Sequence, residues 1–382
     1  MSKNIQQLPW SNWLFKLTFH RSSTRQKPNF GLLLALSAFL VSVLPTITDL
    51  PGSKLLAQNV VSQDLEAASF FQQGVMRYNR QDIQGAESAF RQALQKDPNM
   101  GAARNYLGNI LMQQNRLDLA VQEYGEAVRL SPNLGEAYYN LALALQRQEQ
   151  KEAAITAYRQ SLVVNPTMAA AHYNLGLLLQ QQGQLEEAIA SYQQAISLDS
   201  SNANAYFNLA IALQREGKIE SAIAAYQQAL QLDPQNAMAY NNLGSLLAIQ
   251  GQASGAISSY RQAIRQNPKN ASAYHNLGVT LYNQGDMKTA SSALTRASKQ
   301  YREQGNVEQA EKVEQLIQHI AQLRAKKAPQ VSQTATPSQT PKPAEKIDVP
   351  VPVEQQPQTQ PDMPNQPLFP SPTPEVTGSD GK

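Results

Sequence analysis

Apolar and small side chains recur along residues 67–304 with a period of 34 residues. The period is visible in the segments AYYNLA (137–142), AHYNLG (171–176), AYFNLA (205–210), AYNNLG (239–244) and AYHNLG (273–278). Within each unit the apolar or small positions are 4, 7, 8 and 11, followed by 20, 24 and 27, which form one stripe on each of two helices. The pattern predicts seven units of two helices each, at 67–100, 101–134, 135–168, 169–202, 203–236, 237–270 and 271–304.

Small residues and prolines at fixed positions indicate how these helices pack and end. Position 8 is Gly or Ala and position 20 is Ala in every unit, which lets the two helices approach closely. Position 24 is Tyr in five units, and position 32 is Pro in five units, where it ends the second helix. Three departures stand out: Ser200 replaces the Pro, Leu294 replaces the Tyr, and Gln73 and Arg77 occupy apolar positions of the first unit.

The residues at positions 8, 20, 24, 27 and 32 resemble the tetratricopeptide repeat over 238 of the 382 residues. The resemblance implies an all-α fold, a right-handed superhelical solenoid of about seven helix pairs whose first helices line a concave groove. In the segment NVEQAEKVEQLIQHIAQL (306–323) the apolar residues form one stripe. We therefore expect residues 305–327 to form a C-terminal capping helix.

The two ends of the chain differ from the array. The apolar run FGLLLALSAFLVSVL (30–44) follows five basic and no acidic residues, which predicts an N-terminal segment that directs export across the inner membrane. Residues 1–57 are then either a signal peptide cleaved near Ala57 or an anchor formed by residues 30–48, followed by a linker at 58–66. Either form places the array in the periplasm or another extracytoplasmic space.

The C-terminal segment 328–382 contains 13 of the 22 prolines, with Gln, Ser and Thr between them. Such a composition cannot bury enough apolar surface to offset its ordering entropy, so we expect a disordered tail. It acts either as a spacer or, through LFPSPTPE (368–375), as a binding segment.

The candidate binding residues lie on the first helix of each unit. Position 6 is Asn in five consecutive units, roughly 150° from the centre of the core stripe at 100° per residue, and is expected to face the groove. An Asn side chain can bond both the N–H and the C=O of an extended peptide. A similar amide ladder occurs in the repeats of O-linked N-acetylglucosamine transferases, whose catalytic domain has no counterpart here. The five residues are Asn140, Asn174, Asn208, Asn242 and Asn276.

Alternatives to the ladder stay open, because Asn at position 6 is common in the repeat family as a whole. Tyr139, Tyr173 and Phe207 at position 5 either line the groove or pack between units, and Arg147 and Arg215 at position 13 add positive charge to the groove. Positions 5 and 9 contain no Lys, which argues against the carboxylate clamp of the chaperone-binding subtype.

The composition and the motifs argue against most kinds of catalytic and metal-binding sites. The chain has no Cys, and its four His residues lie in different segments without metal-ligand spacing. No phosphate loop or nucleophile elbow is present. The net charge of +3 originates in the N-terminal segment, so it does not indicate a nucleic-acid-binding surface. We expect no enzyme activity, no cofactor and no metal.

These features predict an exported scaffold that binds an extended segment of an unidentified protein partner and touches the membrane only through its N-terminal segment. Assembly of a membrane complex would suit such a scaffold. The alternative is a structural or oligomerisation module that acts through the convex face or the end helices. A more remote possibility is a photosystem assembly factor, by resemblance to exported repeat proteins of photosynthetic bacteria.

Overall fold

The computed structural model describes residues 53–327, with side chains from 65 to 326. The expected signal or anchor, apart from residues 53–57, and the Pro-rich tail lie outside the described residues. Of the described residues, those from Ala67 onward belong to one compact unit, which contains the helix array.

Within residues 53–327 there are fifteen helices and no strand. In chain order the helices are α1 (Ser53–Asn79), α2 (Ile83–Lys96), α3 (Gly101–Gln113), α4 (Leu117–Leu130), α5 (Gly135–Arg147), α6 (Lys151–Val164), α7 (Ala169–Gln181), α8 (Leu185–Leu198), α9 (Ala203–Arg215), α10 (Ile219–Leu232), α11 (Ala237–Ile249), α12 (Ala253–Gln266), α13 (Ala271–Asn283), α14 (Met287–Glu303) and α15 (Val307–Lys327). We call the first helix of each unit its A helix and the second its B helix.

The helices pack as a solenoid of consecutive pairs. From α3 onward each A helix packs against the B helix of its own unit, and each B helix packs against the next A helix. Successive A helices also touch directly, as α3 touches α5 and α7 touches α9. The all-α helix-pair solenoid predicted from the 34-residue period is therefore confirmed, and six A helices begin at the first residue of their unit.

The first A helix is longer than the sequence pattern indicated. Helix α1 begins at Ser53, so the segment 58–66, which was expected to be a linker, is helical. The physical reason is local: no Gly or Pro interrupts the chain between Ser53 and Gly74, and Leu, Ala and Gln favour helix.

Glycines of the A helices allow the close pairing that the pattern implied. A Cβ atom built on Gly176 would lie 2.8 Å from Cδ1 of Tyr192, and one built on Gly244 would lie 2.7 Å from Cε1 of Tyr260. Both tyrosine side chains are fully buried. The ring of the B helix therefore occupies the space that a side chain larger than that of Ala would need at this position of the A helix.

The turn from each A helix to its B helix requires a left-handed residue at position 15. Gly183, Gly217, Gly251 and Gly285 supply it in four units with φ between 75° and 84°. Gln81, Asn115 and Glu149 adopt the same conformation with φ of 62°, 56° and 60°. A residue with a Cβ is strained there, so these three turns are less favourable than the glycine turns.

The turn from each B helix to the next A helix explains why Ser200 is tolerated. Asp199 accepts a hydrogen bond from the N–H of Ser201 at 3.0 Å and another from its hydroxyl at 2.6 Å. Asp97, Asp233 and Asn267 make the same bond to the backbone N–H two residues on. The side chain of the Asp or Asn therefore forms the turn before the next A helix, whether or not the following residue is Pro.

The array ends in the capping helix that was predicted for residues 305–327. The last B helix, α14, has 17 residues instead of 14, because no Pro stops it. Ala310, Val313 and Ile320 of α15 are buried. Glu314 of α15 accepts hydrogen bonds from Arg302 at 2.8 and 2.9 Å, and this pair helps to fix α15 on α14.

Candidate protein-interaction surface

The structure places the five Asn side chains of position 6 between neighbouring A helices. Their exposed fractions are 1% for Asn140, 7% for Asn174, 0% for Asn208, 2% for Asn242 and 4% for Asn276. The expectation that they lie open on the groove face is therefore corrected. The angle of 150° describes one isolated helix, whereas in the solenoid the preceding A helix packs against that side.

Two of these amides bind the tyrosines at position 5 of the preceding unit. Asn174 donates its Nδ2 hydrogen to the hydroxyl of Tyr139 at 3.1 Å, and Asn208 donates to the hydroxyl of Tyr173 at 2.9 Å. Tyr139 and Tyr173 are 6% and 0% exposed, and Phe207 is 0% exposed. The alternative that the aromatic residues pack between units is the one the structure shows.

Phe207 at position 5 has no hydroxyl, so the position-6 amide of the following unit binds a different residue. Asn242 donates to the hydroxyl of Tyr226, a B-helix residue, at 3.1 Å instead. Where position 5 is Asn, the amide bonds another amide: Asn140 donates to Oδ1 of Asn105 at 3.0 Å, and Asn276 donates to Oδ1 of Asn241 at 3.2 Å. Each position-6 amide thus joins two consecutive units.

The buried tyrosines at position 24 follow a related rule that sequence analysis missed. Where position 9 is polar, the hydroxyl bonds it: Tyr124 donates to Asn109 at 2.7 Å and Tyr260 to Ser245 at 3.2 Å. Where position 9 is aliphatic, the hydroxyl donates to a Gln at position 12, as for Tyr158–Gln146, Tyr192–Gln180 and Tyr226–Gln214. The sequence carries the signal, because Asn at position 5 and a polar residue at position 9 occur together in units 101–134 and 237–270.

These phenols are neutral at neutral pH and able to donate, and burial moves their titration to still higher pH. It raises the pKa of Tyr139 to about 12 against an opposing hydrogen bond from Asn174. Burial also raises the pKa of Tyr158 and Tyr192 well above the ordinary value. The hydroxyl groups remain protonated at neutral pH, so the network between the units does not titrate there.

Side chains at positions 2 and 13 of the A helices are accessible from the third unit onward, and we call these positions the A-helix face. Arg147 and Arg215 at position 13 are exposed, and Glu136 at position 2 is half-buried. The remaining members from the third unit onward are Ala170, Gln181, Asn204, Met238, Ile249, Ser272 and Asn283. Of the sequence-predicted site residues, only the two arginines retain a side chain on this exposed surface.

Two titratable groups of the A helices are shifted by burial. Burial raises the pKa of the Glu136 carboxyl, and a hydrogen bond from the side chain of Asn105 partly opposes this. Burial lowers the pKa of His275 at position 5, which favours its neutral form.

The described part of the chain contains neither a metal-binding cluster nor a membrane-spanning helix. Among the described residues no group of three or more His, Asp or Glu could hold a metal ion. Within residues 53–327 no helix combines the length and the apolar character needed to cross a bilayer.

Comparison with family models matches nearly the whole array. Models described as TPR repeat and tetratricopeptide repeat match residues 68–99, 108–149, 148–183, 178–217, 215–251, 244–285 and 271–304. These matches together cover more than half of the chain. The chain belongs to the tetratricopeptide repeat family, and its array is a protein-interaction scaffold.

Solved structures that this chain resembles include a MamA protein, which is 27% identical and has a TM-score of 0.41, with 45% of this chain and 94% of that chain covered. YrrB, described as a TPR protein with an unusual peptide-binding site, is 24% identical with a TM-score of 0.47, and 50% and 98% of the two chains are covered. A TPR repeat-containing protein from Cytophaga hutchinsonii is 15% identical with a TM-score of 0.51, and 59% and 93% are covered. Comparison with curated proteins gave no match.

Proposed function

We propose that the chain is a scaffold whose A-helix face binds an extended segment of a partner protein. The observation that carries this proposal is the exposure of Arg147 and Arg215 at the same position of helices two units apart. Since positions 5 and 6 are occupied by contacts between units, charged side chains at positions 2 and 13 would make the contacts to the partner. The Asn series would act indirectly, by holding the A helices in register.

The two arginines favour acidic side chains in the partner. A guanidinium group recognises a carboxylate through two parallel hydrogen bonds. Packed helices lie about 8–10 Å apart, so position 13 recurs after roughly 20 Å over two units. An extended chain advances about 3.3 Å per residue, and two acidic residues spaced by about six positions would therefore match Arg147 and Arg215.

Selection from a peptide library tests this proposal. The full-length chain would be incubated with a random decapeptide library that is acetylated at the N-terminus and amidated at the C-terminus. We expect enrichment of Asp or Glu at two positions about six residues apart. The double variant Arg147→Gln with Arg215→Gln should lose that enrichment and bind a selected peptide about tenfold more weakly, or about 1.4 kcal/mol.

The matched control is the double variant Arg261→Gln with Arg265→Gln, which removes two exposed positive charges from the B helix α12. It should bind the selected peptide as tightly as the unaltered chain. The proposal fails if no peptide is enriched, or if both double variants lose affinity equally.

We further propose that the array acts outside the cytoplasm and supports the assembly of a membrane complex. The support is the positive flank and apolar run of residues 1–57, both read from the sequence. N-terminal sequencing of protein recovered from an extracytoplasmic fraction would begin after Ala57 for a cleaved signal and close to Met1 for an anchor. Recovery from the cytosol alone would contradict export.

A further inference from the structure

The Pro-rich segment 328–382 contains a pair of acidic residues with the spacing that the A-helix face requires. Asp348 and Glu354 are six positions apart in the sequence DVPVPVE (348–354), which we call the acidic tail segment. No other two of the six acidic residues in 328–382 are separated by six positions. The required spacing follows from the stacking of the A helices that carry Arg147 and Arg215, so the match links two separate features of the chain.

Both acidic side chains lie on the same side of an extended chain. Side chains repeat every two residues in a strand and every three in a polyproline helix, and six is a multiple of both. Over six positions the chain advances about 20 Å as a strand and about 19 Å as a polyproline helix. Pro350 and Pro352 disfavour an α-helix, and each also disfavours it for the residue before it, so the sequence favours such an extended form.

The part of the A-helix face between the two arginines carries no charge. It belongs to unit 169–202, where position 2 is the half-buried Ala170 and position 13 is the exposed Gln181. The acidic tail segment contains only Val and Pro between its two acids. The tail and the face therefore match in charge at both ends and are both uncharged in the middle.

The tail is long enough to reach the face, and it runs in the direction that the pairing needs. Helix α15 ends at Lys327, and Asp348 follows 21 positions later. An extended chain covers about 3.3 Å per residue, so this stretch spans up to roughly 70 Å. Helix α9 lies three helix layers before α15, or roughly 30 Å at 8–10 Å per layer, and the whole length of α15 adds only about 30 Å. A chain coming from α15 meets Arg215 before Arg147, which pairs Asp348 with Arg215 and Glu354 with Arg147.

We propose that the acidic tail segment is an intramolecular ligand of the A-helix face. This inference rests on the proposed function, because it assigns an occupant to the same face. A tethered segment competes at a high effective concentration, so a partner protein must displace the tail before it binds. The tail thus lowers the affinity of the face for any partner segment and restricts binding to segments that match the face better than the tail does.

Disulfide cross-linking in the full-length chain tests the contact, because the chain has no cysteine of its own. The first cysteine pair is Gln181→Cys with Val351→Cys, which lie midway between the two arginines and midway between the two acids. With oxidised glutathione we expect an intramolecular disulfide, detected on a non-reducing gel as a monomer of altered mobility. The matched control is Gln194→Cys with Val351→Cys, because Gln194 is exposed on the B helix α8 of the same unit. The control should form its disulfide about tenfold more slowly.

Charge variants of the tail test the pairing of acids with arginines. Adding Asp348→Asn with Glu354→Gln to the first cysteine pair should slow its cross-linking to the rate of the control pair. Adding Glu375→Gln with Asp380→Asn removes the same charges five positions apart and should leave the rate unchanged. All four positions lie outside the helix array, so these changes do not alter its packing.

Displacement of the tail is measured with a peptide selected from the capped library. The cysteine-free variant Asp348→Asn with Glu354→Gln should bind this peptide about tenfold more tightly than the unaltered chain does, because the tethered competitor is lost. The variant Glu375→Gln with Asp380→Asn should bind it as the unaltered chain does.

Equal cross-linking rates for the two cysteine pairs, or covalent dimers in place of monomers, would overturn the intramolecular contact. An unchanged peptide affinity in Asp348→Asn with Glu354→Gln would overturn it as well. In each of these cases the enrichment of acidic peptides would leave the proposed function standing. A charge-dependent monomeric cross-link without any enriched peptide would support the tail contact and overturn the proposed binding of a partner.

Discussion

Replacing Gly176 with Leu is expected to lower the free energy of unfolding by about 3 kcal/mol or more, because the new side chain would occupy the place of a buried ring. A Cβ atom at this position would already lie 2.8 Å from both Cδ1 and Cε1 of Tyr192. Tyr192 is fully buried, and its hydroxyl is held by Gln180 at 2.7 Å, so the ring can shift slightly for a methyl group but cannot make room for a Leu side chain. Urea denaturation followed by circular dichroism measures the loss as a lower midpoint.

Gly125 provides the matched control for this substitution. It lies inside the B helix α4, and a Cβ atom there would meet nothing within 4 Å. Gly125→Leu should therefore raise stability by about 0.5–1 kcal/mol, since Gly is a poor helix former. Gly176→Ala should cost less than about 1 kcal/mol, because Ala142 and Ala210 occupy the same position opposite Tyr158 and Tyr226. Equal midpoints for the two Leu variants would contradict the close packing.

Replacing Asn208 with Leu is expected to lower the free energy of unfolding by about 2 kcal/mol. The amide is 0% exposed and donates to the hydroxyl of Tyr173, which is itself fully buried. A Leu of similar volume fills the space but offers no donor, so polar atoms that were paired in the folded chain lose a partner. Thermal unfolding followed by circular dichroism gives the size of the effect.

A double-mutant cycle separates this bond from other effects of the substitution. Tyr173→Phe removes the hydroxyl, and a Phe is already accommodated at the same position as Phe207. The double variant Asn208→Leu with Tyr173→Phe should lose less than the sum of the two single variants, because both substitutions remove the same hydrogen bond. An unchanged melting temperature for Asn208→Leu would instead fit an amide that is open to the groove, as the helical period alone predicts.

Much of the fold could be predicted because each unit repeats its own local signals. The start of α7 at Ala169 and the close contact at Gly176 follow from one pattern that occurs seven times. The length of α14 and the helical state of residues 58–66 were harder to predict, because both depend on the absence of a stop signal. A missing Pro or Gly extends a helix without adding any positive feature to the sequence.

The candidate site was predicted less well, for a geometric reason. A helical wheel gives the direction of Asn208 relative to its own helix but not the side on which the preceding A helix packs. The pairing of Asn208 with Tyr173 could be found only by reading position 6 against position 5 of the preceding unit, 35 residues earlier.

The alternation of hydrogen-bond partners also limits how the array can change length by duplication or loss of whole units. Loss of residues 169–202 would bring Asn208 against Tyr139, which has the same hydroxyl as Tyr173, so the junction would remain matched. Loss of residues 101–134 would bring Asn140 against Phe71 and Val75, neither of which can accept its hydrogen. The middle of the array is therefore expected to tolerate gain or loss of copies during evolution, while the junction of the first units is not.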